Sequence, residues 1–142
     1  MAARASLAPG EGEAELTSIR KKHPPLIVQL MTLEDPPGPR AISMIGLQTL
    51  RAAKSGGLLA TKPEVDLLLR MSGTSQIAVA MEKAGYRAKG KKLLIAIGDP
   101  GELKSLRRQI AKDARYEILE ERPLSKRDLE AVERAALLGT RS

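Results

Sequence analysis

Several residue types are missing from this 142-residue chain, which contains no cysteine, asparagine, phenylalanine or tryptophan. Without cysteine the chain can form no disulfide, thiolate metal site, cysteine nucleophile or thiol redox switch. Tyr86 and Tyr116 are the only large aromatic residues, so the core must be built from Leu, Ile, Val, Met and Ala. The lack of thermolabile cysteine and asparagine, together with nine prolines, fits a heat-adapted organism.

Long apolar runs are also missing. No stretch approaches the roughly 18 apolar residues of a membrane span, and the first 25 residues contain no continuous apolar signal segment. We therefore expect a cytoplasmic protein. The single histidine, His23, precedes a proline in an expected linker, and no nucleophile and base, metal cluster or cofactor motif accompanies it. The sequence thus predicts no enzyme, no cofactor and no metal.

Positive charge is what the chain has in excess, with a formal net charge of +7. Most of it lies in residues 62–98, where seven basic residues accompany three acidic ones. A field of that sign attracts phosphate polyanions before any contact forms. Solvated surface charge would give the same count, but the excess makes nucleic acid a candidate partner.

The pattern along the chain predicts a flexible N-terminal tail followed by one domain. Residues 1–24 are small, polar or charged and are expected to form the tail. Residues 25–142 are expected to form a single α+β domain, a small mixed or antiparallel sheet covered by about five helices. Strands are predicted at residues 26–31, 93–97 and 116–119, and the unbroken apolar run 93–97 is typical of a central strand covered on both faces.

Helix signals separate these strands. Apolar spacing predicts a helix over residues 43–54, with Gly46 as a weak point. Thr61 and Glu64 form a predicted capping box, and Thr74 is expected to cap a helix that begins at Ser75. Further helices are predicted after the Asp99 cap and after a capping box of Ser125 with Asp128.

The break at Ser72-Gly73-Thr74 leaves three interpretations open. A plain helix–helix turn is one, with Ile77 and Met81 in the core. A DNA-binding helix-turn-helix is another, and it predicts a winged-helix-like regulator, although only Ser75 and Gln76 could reach bases from the second helix. The third is a pure protein adaptor that uses apolar helix faces.

The same segment resembles a known family. Residues 67–77 read Leu-Leu-Leu-Arg-Met-Ser-Gly-Thr-Ser-Gln-Ile, and Ala80, Met81, Gly85, a basic stretch and an aliphatic strand follow. In these features residues 41–98 resemble an archaeal-type PRPK-binding protein, the small end subunit of the KEOPS complex, which makes threonylcarbamoyl-adenosine in tRNA. The resemblance implies a non-catalytic subunit that binds the single-stranded 3′ CCA end of tRNA and docks on the kinase-like subunit.

Two sets of side chains are candidates for these activities. The RNA-binding candidates combine backbone amides at a helix start with nearby cations. They are Arg70, Thr74, Ser75, Gln76, Lys83, Lys89, Lys91 and Lys92. The partner-binding candidates are apolar helix positions, for which burial in the core is the alternative. They are Ile45, Leu47, Leu50, Leu129, Val132 and Leu137.

Overall fold

A four-stranded antiparallel sheet organises the fold of this computed structural model, which describes residues 1–140. Its strands are β1 (Ala2–Ala5), β2 (Ile27–Thr32), β3 (Lys92–Ile97) and β4 (Tyr116–Ile118), arranged in the order β2-β3-β1-β4. The described residues also form six helices. They are α1 (Glu11–Lys22), α2 (Pro39–Ser55), α3 (Pro63–Ser72), α4 (Ile77–Ala84), α5 (Pro100–Ala111) and α6 (Lys126–Thr140). The predicted α+β class is confirmed.

Strand β3 is buried along its whole length and pairs with β2 on one side and β1 on the other. Leu93 and Ile95 point into a core shared with α2, α3, α4 and α6, which we call the four-helix face. Leu94 and Ala96 point into a second core shared with α1 and α5, the two-helix face. The prediction of a central strand covered on both faces is confirmed.

The prediction of a flexible tail over residues 1–24 was wrong. Residues 2–5 form a strand inserted between β3 and β4, and residues 11–22 form helix α1. Ala2, Ala3 and Ala5 are buried because strands flank β1 on both sides. Small residues suit this crowded position, although their composition alone is typical of unstructured chain. Ile19 anchors α1 to the two-helix face.

Two predicted helix caps were also wrong. Helix α3 starts at Pro63 after Lys62, without a side-chain cap, because proline pre-sets the backbone angle of the first helical residue. Helix α4 starts at Ile77, two residues later than predicted. The Thr74 hydroxyl accepts the amide N–H of Gln76 at 3.2 Å within the preceding turn and does not cap the helix itself.

Two other predicted caps are confirmed. The Asp99 carboxylate accepts the Glu102 amide N–H at 3.0 Å. Ser125 and Asp128 exchange backbone-to-side-chain hydrogen bonds of 3.0 Å in a capping box. Asp128 also accepts the Gly38 amide N–H at 2.9 Å, which ties the start of α6 to the start of α2.

The glycine inside α2 marks the closest approach between that helix and the sheet. A Cβ atom at Gly46 would lie only 2.5 Å from Cγ2 of Ile97 on β3. Glycine costs helix propensity, and here it removes the side chain that would keep the helix away. The weak point predicted within the helix is therefore a packing requirement.

Candidate nucleic-acid interface

Arg70 is buried and does not form part of an exposed RNA surface, so its prediction as an RNA contact was wrong. Only 5% of the residue is exposed. Its Nε donates to Oδ1 of Asp66 at 2.7 Å, and its Nη1 donates to the carbonyl of Ala135 at 3.3 Å. The side chain therefore joins α3 to α6. The apolar residues on either side of Arg70 in the sequence do not indicate that it has this role.

Lys92 is also buried, and its prediction as an RNA contact was likewise wrong. Its Nζ donates to the carbonyl oxygens of Ala88 at 2.9 Å and Gly90 at 3.2 Å, which holds the loop before β3. The ammonium group lies 6.0 Å from the centroid of the Tyr86 ring. Lys92 is thus engaged within the protein, while Lys89 and Lys91 beside it are exposed.

The turn between α3 and α4 remains a candidate anion contact. Gly73 ends α3 with a positive φ of 75°, and Ser75 and Gln76 are exposed. Helix α4 has no side-chain cap, so the amides of its first turn have no intrahelical partner. A Cβ at Gly73 would lie 2.6 Å from Cδ of Arg134, so an exposed cation that sequence reasoning missed packs directly on this turn.

Helix α4 forms a ridge between two grooves. On one side Ile77 and Met81 are half exposed, at 53% and 51%, so the alternative that places both in the core was wrong. On the other side Lys83 shares a groove with Arg127 and Arg134 of α6. The structure therefore separates Lys83 from the apolar side of the helix.

Beside Ile77 and Met81 lies a cleft of about 380 Å³, which we call the edge cleft because it follows the unpaired edge of β2. Its lining comes from α1, β2, the start of α3, and α4 with the residues that follow. The lining residues are Gly12, Glu13, Leu16, Arg20, Gln29, Leu30, Lys62, Glu64, Val65, Leu68, Ile77, Met81, Gly85 and Tyr86. Arg20 and Lys62 supply positive charge, and Glu13 and Glu64 supply negative charge.

The edge cleft remains open because side chains already form hydrogen bonds with backbone groups at the unpaired edge of β2. The guanidinium group of Arg20 donates to the carbonyl of Val28 at 2.8 and 3.2 Å. The side-chain oxygen of Gln29 accepts the Leu30 amide N–H of the same edge at 3.1 Å, and its side-chain nitrogen donates to the carbonyl of Glu64 on α3 at 2.9 Å. Such cover prevents another strand from pairing with the edge. A ligand in the cleft would therefore meet side chains and not a free backbone ladder.

Tyr86 forms one wall of the edge cleft. Its ring lies against Gly12 so closely that any Cβ at residue 12 would overlap the ring. The hydroxyl of Tyr86 is buried and has no hydrogen-bond partner among the described residues. Because the hydroxyl is enclosed beside Gly12, a molecule in the cleft would meet the ring of Tyr86 and not its hydroxyl.

Lys91 lies at a different place, in a groove beside the proline cluster that also includes Arg4 and Arg122. There the pKa of Asp35 is lowered, mainly by a hydrogen bond from Arg127 and in small part by the charge of Lys91. The structure thus does not gather the predicted cations into one site. Arg20, Lys62 and Arg134, which were not among the predicted cations, lie nearer to the α4 ridge than Lys91 does.

The partner-binding candidates divide into buried and exposed residues. Ile45 is 1% exposed and belongs to the core, so its prediction as a contact residue was wrong. Leu50 and Val132 are partly buried against the same core. Leu47, Leu129 and Leu137 are exposed by 44%, 50% and 45%, and Met44 joins them at 38%.

His23 is a structural residue that ends α1, and its prediction as part of a linker was wrong. Its Nδ1 lies 2.7 Å from Oε2 of Glu102, and the residue is 5% exposed. Gln109, also on α5, lies 3.4 Å from the other ring nitrogen. His23 thus connects α1 to α5. This contact depends on where the fold places the two helices, so the sequence alone does not reveal it.

Comparison with known proteins identifies no relative: no protein-family profile matches the chain, and no curated protein matches it. Across residues 1–140, none of the helices is long and apolar enough to cross a membrane. The same residues contain no group of three His, Asp or Glu side chains placed to hold a metal ion.

Proposed function

We propose that this chain is a non-catalytic RNA-binding subunit that holds the single-stranded 3′ end of tRNA, as the resemblance to the PRPK-binding-protein family implies. The observation that carries the proposal is the pair of half-exposed apolar residues, Ile77 and Met81, at the edge cleft. The two residues are four positions apart on one helix, so they form an adjacent exposed apolar pair, and apolar groups that line a groove are typical of ligand-binding sites.

A terminal nucleotide matches the chemistry of this region. Its base has two apolar faces, which Ile77, Met81 and the ring of Tyr86 can contact. Its phosphate can accept hydrogen bonds from the uncapped amides at the start of α4, with Arg134 close by. A cleft of about 380 Å³ lies at the small end of ligand sites, which favours one defined segment over a long strand.

We further propose that the protein docks on the kinase-like subunit of the KEOPS complex through exposed apolar residues of α2 and α6. Leu47 and Leu129 contribute to this surface, and Gln48 holds the two helices together by donating to the carbonyl of Val132 at 3.1 Å. Neither activity requires a catalytic group. The winged-helix alternative is less well supported, because the first turn of α4 presents Ile77 and Ala78 to solvent.

The test is a binding titration with full-length tRNA and with the same tRNA lacking its three terminal nucleotides, at fixed moderate salt. We expect trimming to abolish most of the binding. The double substitution I77A/M81A should weaken binding of intact tRNA by about tenfold, since it removes apolar contact area that the base would bury, at about 25 cal/mol per Å².

The matched control is L47A/L129A, which removes two equally exposed apolar side chains from another surface. It should retain tRNA affinity and lose capture of the kinase-like subunit. Equal binding of trimmed and intact tRNA would contradict capture of the tail. If the unsubstituted protein bound neither tRNA and still captured the kinase-like subunit, the result would favour the pure protein adaptor.

A further inference from the structure

The outer surface of the two-helix face carries a cluster of cations that the edge cleft does not use. We define this basic face by Lys21 and Lys22 of α1, Lys104 and Arg108 of α5, and Lys112, which directly follows α5 with helical backbone angles. All five are exposed, and none forms an ion pair within the part of the chain that the structure describes. Like charges left unpaired in one region create a strongly positive potential.

Contacts between α1 and α5 show that these cations share one surface. His23, directly after Lys22, lies 2.7 Å from Glu102 and 3.4 Å from Gln109, so the end of α1 meets α5. Glu11, at the start of α1, is bound by Arg115 at 3.0 Å, just beyond the end of α5. The helices therefore run in opposite directions over the same face of the sheet.

The distribution of acidic residues sharpens the charge of this surface. Residues 16–22 and 103–112 contain no Asp or Glu. The acids at the opposite end of the helix pair, Glu11, Glu15 and Asp113, are all bound by Arg115 at 2.7–3.0 Å. These three acids share the single cation Arg115, so that end of the helix pair keeps a net negative charge. The net positive area is formed by the unpaired cations around the end of α1 and along the outer side of α5, and it ends where Lys112 adjoins Asp113.

We propose that the basic face binds the sugar-phosphate backbone of a double-helical part of the same RNA whose end occupies the edge cleft. Lys104, Arg108 and Lys112 are four residues apart, so they form a row of charges about 6 Å apart on one side of α5. No large apolar residue is exposed on α1 or α5, whereas a helix that lies on a membrane needs an apolar face.

Two observations favour a double helix over a second single strand. Tyr86 lines the edge cleft, and Tyr116 is packed against the core of the two-helix face, so the basic face has no exposed aromatic side chain on which bases could stack. Helix α1 lies between the two surfaces, because Arg20 lines the edge cleft while Lys22 adjoins α5. An RNA end in the cleft can therefore continue as a duplex over α1 and α5. The assignment to RNA rests on the proposed function.

The test uses the whole chain and a blunt RNA hairpin of about 16 base pairs with no single-stranded end. The variant K104Q/R108Q/K112Q removes three charges from α5. The control R40Q/R51Q/K54Q removes three exposed charges from α2. We expect the α5 variant to bind the hairpin at least about tenfold more weakly near 50 mM salt, with its salt slope reduced by about 2 to 3. The control should change affinity by less than about twofold.

Equal weakening in the two variants would overturn the proposal, because only net charge would then matter. Binding to anionic phosphatidylserine vesicles but not to the hairpin would assign the surface to membranes, and tighter binding of a DNA duplex would refute RNA. The hairpin has no single-stranded tail, so its binding does not depend on the edge cleft. Failure of the edge cleft as a tail site would be seen only in the comparison of intact with trimmed tRNA.

Discussion

The two faces of the sheet use their charged residues in opposite ways. On the four-helix face, Asp66 and Arg70 are buried as a pair between α2, α3 and α6. On the two-helix face, Lys21, Lys22 and the cations of α5 are exposed and form no ion pair with any residue in the range 1–140. The comparison teaches that a basic residue near a candidate motif is not a ligand contact by default, since burial decides whether its charge can reach a ligand.

The buried pair on the four-helix face is satisfied by several partners. The Asp66 carboxylate accepts hydrogen bonds from Thr49 at 2.6 Å, Arg70 at 2.7 Å and the Leu59 amide at 2.9 Å. Such networks are costly to break on one side, because the remaining charge stays buried without compensation. The His23–Glu102 contact on the two-helix face is nearer to water, with the Glu102 side chain 35% exposed.

The largest effect in this comparison is expected from D66A. Removal of the carboxylate leaves the charge of Arg70 buried without its partner, which should lower the free energy of unfolding by about 3–5 kcal/mol. E102A on the two-helix face should cost about 1 kcal/mol, because water can replace the lost hydrogen bond. Denaturant unfolding measures both. Similar losses in the two variants would show that the faces do not differ in this respect. The double variant D66L/R70M should regain part of the loss.

The next effect concerns packing between α2 and the sheet. G46A places a Cβ against Ile97 and should cost about 1–3 kcal/mol by overpacking. The control G57A, just beyond the same helix, meets no atom closer than 3.5 Å and should change stability by less than about 0.5 kcal/mol. Thermal unfolding would separate the two. An unchanged melting temperature for G46A would mean that α2 can move away from β3.

A smaller effect depends on pH. Hydrogen bonds from the Gly38 and Ser125 amides, aided by Arg122, lower the pKa of Asp128 to about 2. Its ionised form therefore stabilises the fold above the ordinary pKa near 3.8, and this contribution is lost as the pH falls towards 2. D128N should lower the free energy of unfolding by about 1–2 kcal/mol at pH 7.

The difference between D128N and the wild type should shrink as the pH approaches 2, which urea unfolding at several pH values can follow. D35N is the control, since the Asp35–Arg127 pair is exposed on both sides and should contribute less. A difference that stays constant between pH 7 and pH 2 would contradict the role of the ionised carboxylate.

The smallest effects separate two adjacent lysines. K92Q should lower stability by about 1 kcal/mol, because two carbonyl acceptors lose their donor, and should leave RNA affinity unchanged. K91Q should leave stability unchanged and weaken RNA binding by about twofold through the loss of one exposed charge. If K92Q weakened RNA binding and K91Q did not, the loop of residues 87–91 would have to open when RNA binds.

Much of the framework could be predicted from residues close together in the chain. The aliphatic run of β3, the Asp99 cap and the Ser125–Asp128 capping box depend on side chains and amides within a few positions of each other. The N-terminal strand could not be recognised, because its alanines acquire burial only from β3 and β4, which lie about 90 and 110 residues further on. The inward direction of Asp128 on α6 could not be recognised for a related reason, since it depends on Gly38, 90 residues earlier.

The candidate site was predicted only in part. Residues Thr74, Ser75 and Gln76 do form a turn, with Ser75 and Gln76 exposed, which a local glycine and polar pattern can specify. The edge cleft combines α1, β2, α3 and α4, and no sequence spacing reports that those four elements meet. Arg20 and Lys62 were therefore missed, and Arg134 was missed because it reaches the turn at Gly73 from α6. The apolar side of α4 could not be distinguished from a core-facing side.

Composition and local pattern were sufficient for the aliphatic core, the α+β class and the exclusion of cysteine chemistry, because each depends on residue type or on contacts over a few positions. Tertiary structure alone decided which cations are free. Arg70 reaches Ala135, 65 residues away, and once it is buried its charge must be compensated inside the protein. Lys104, Arg108 and Lys112 are exposed and have no ion-pair partner among the residues that the structure describes, so their charges remain on the surface.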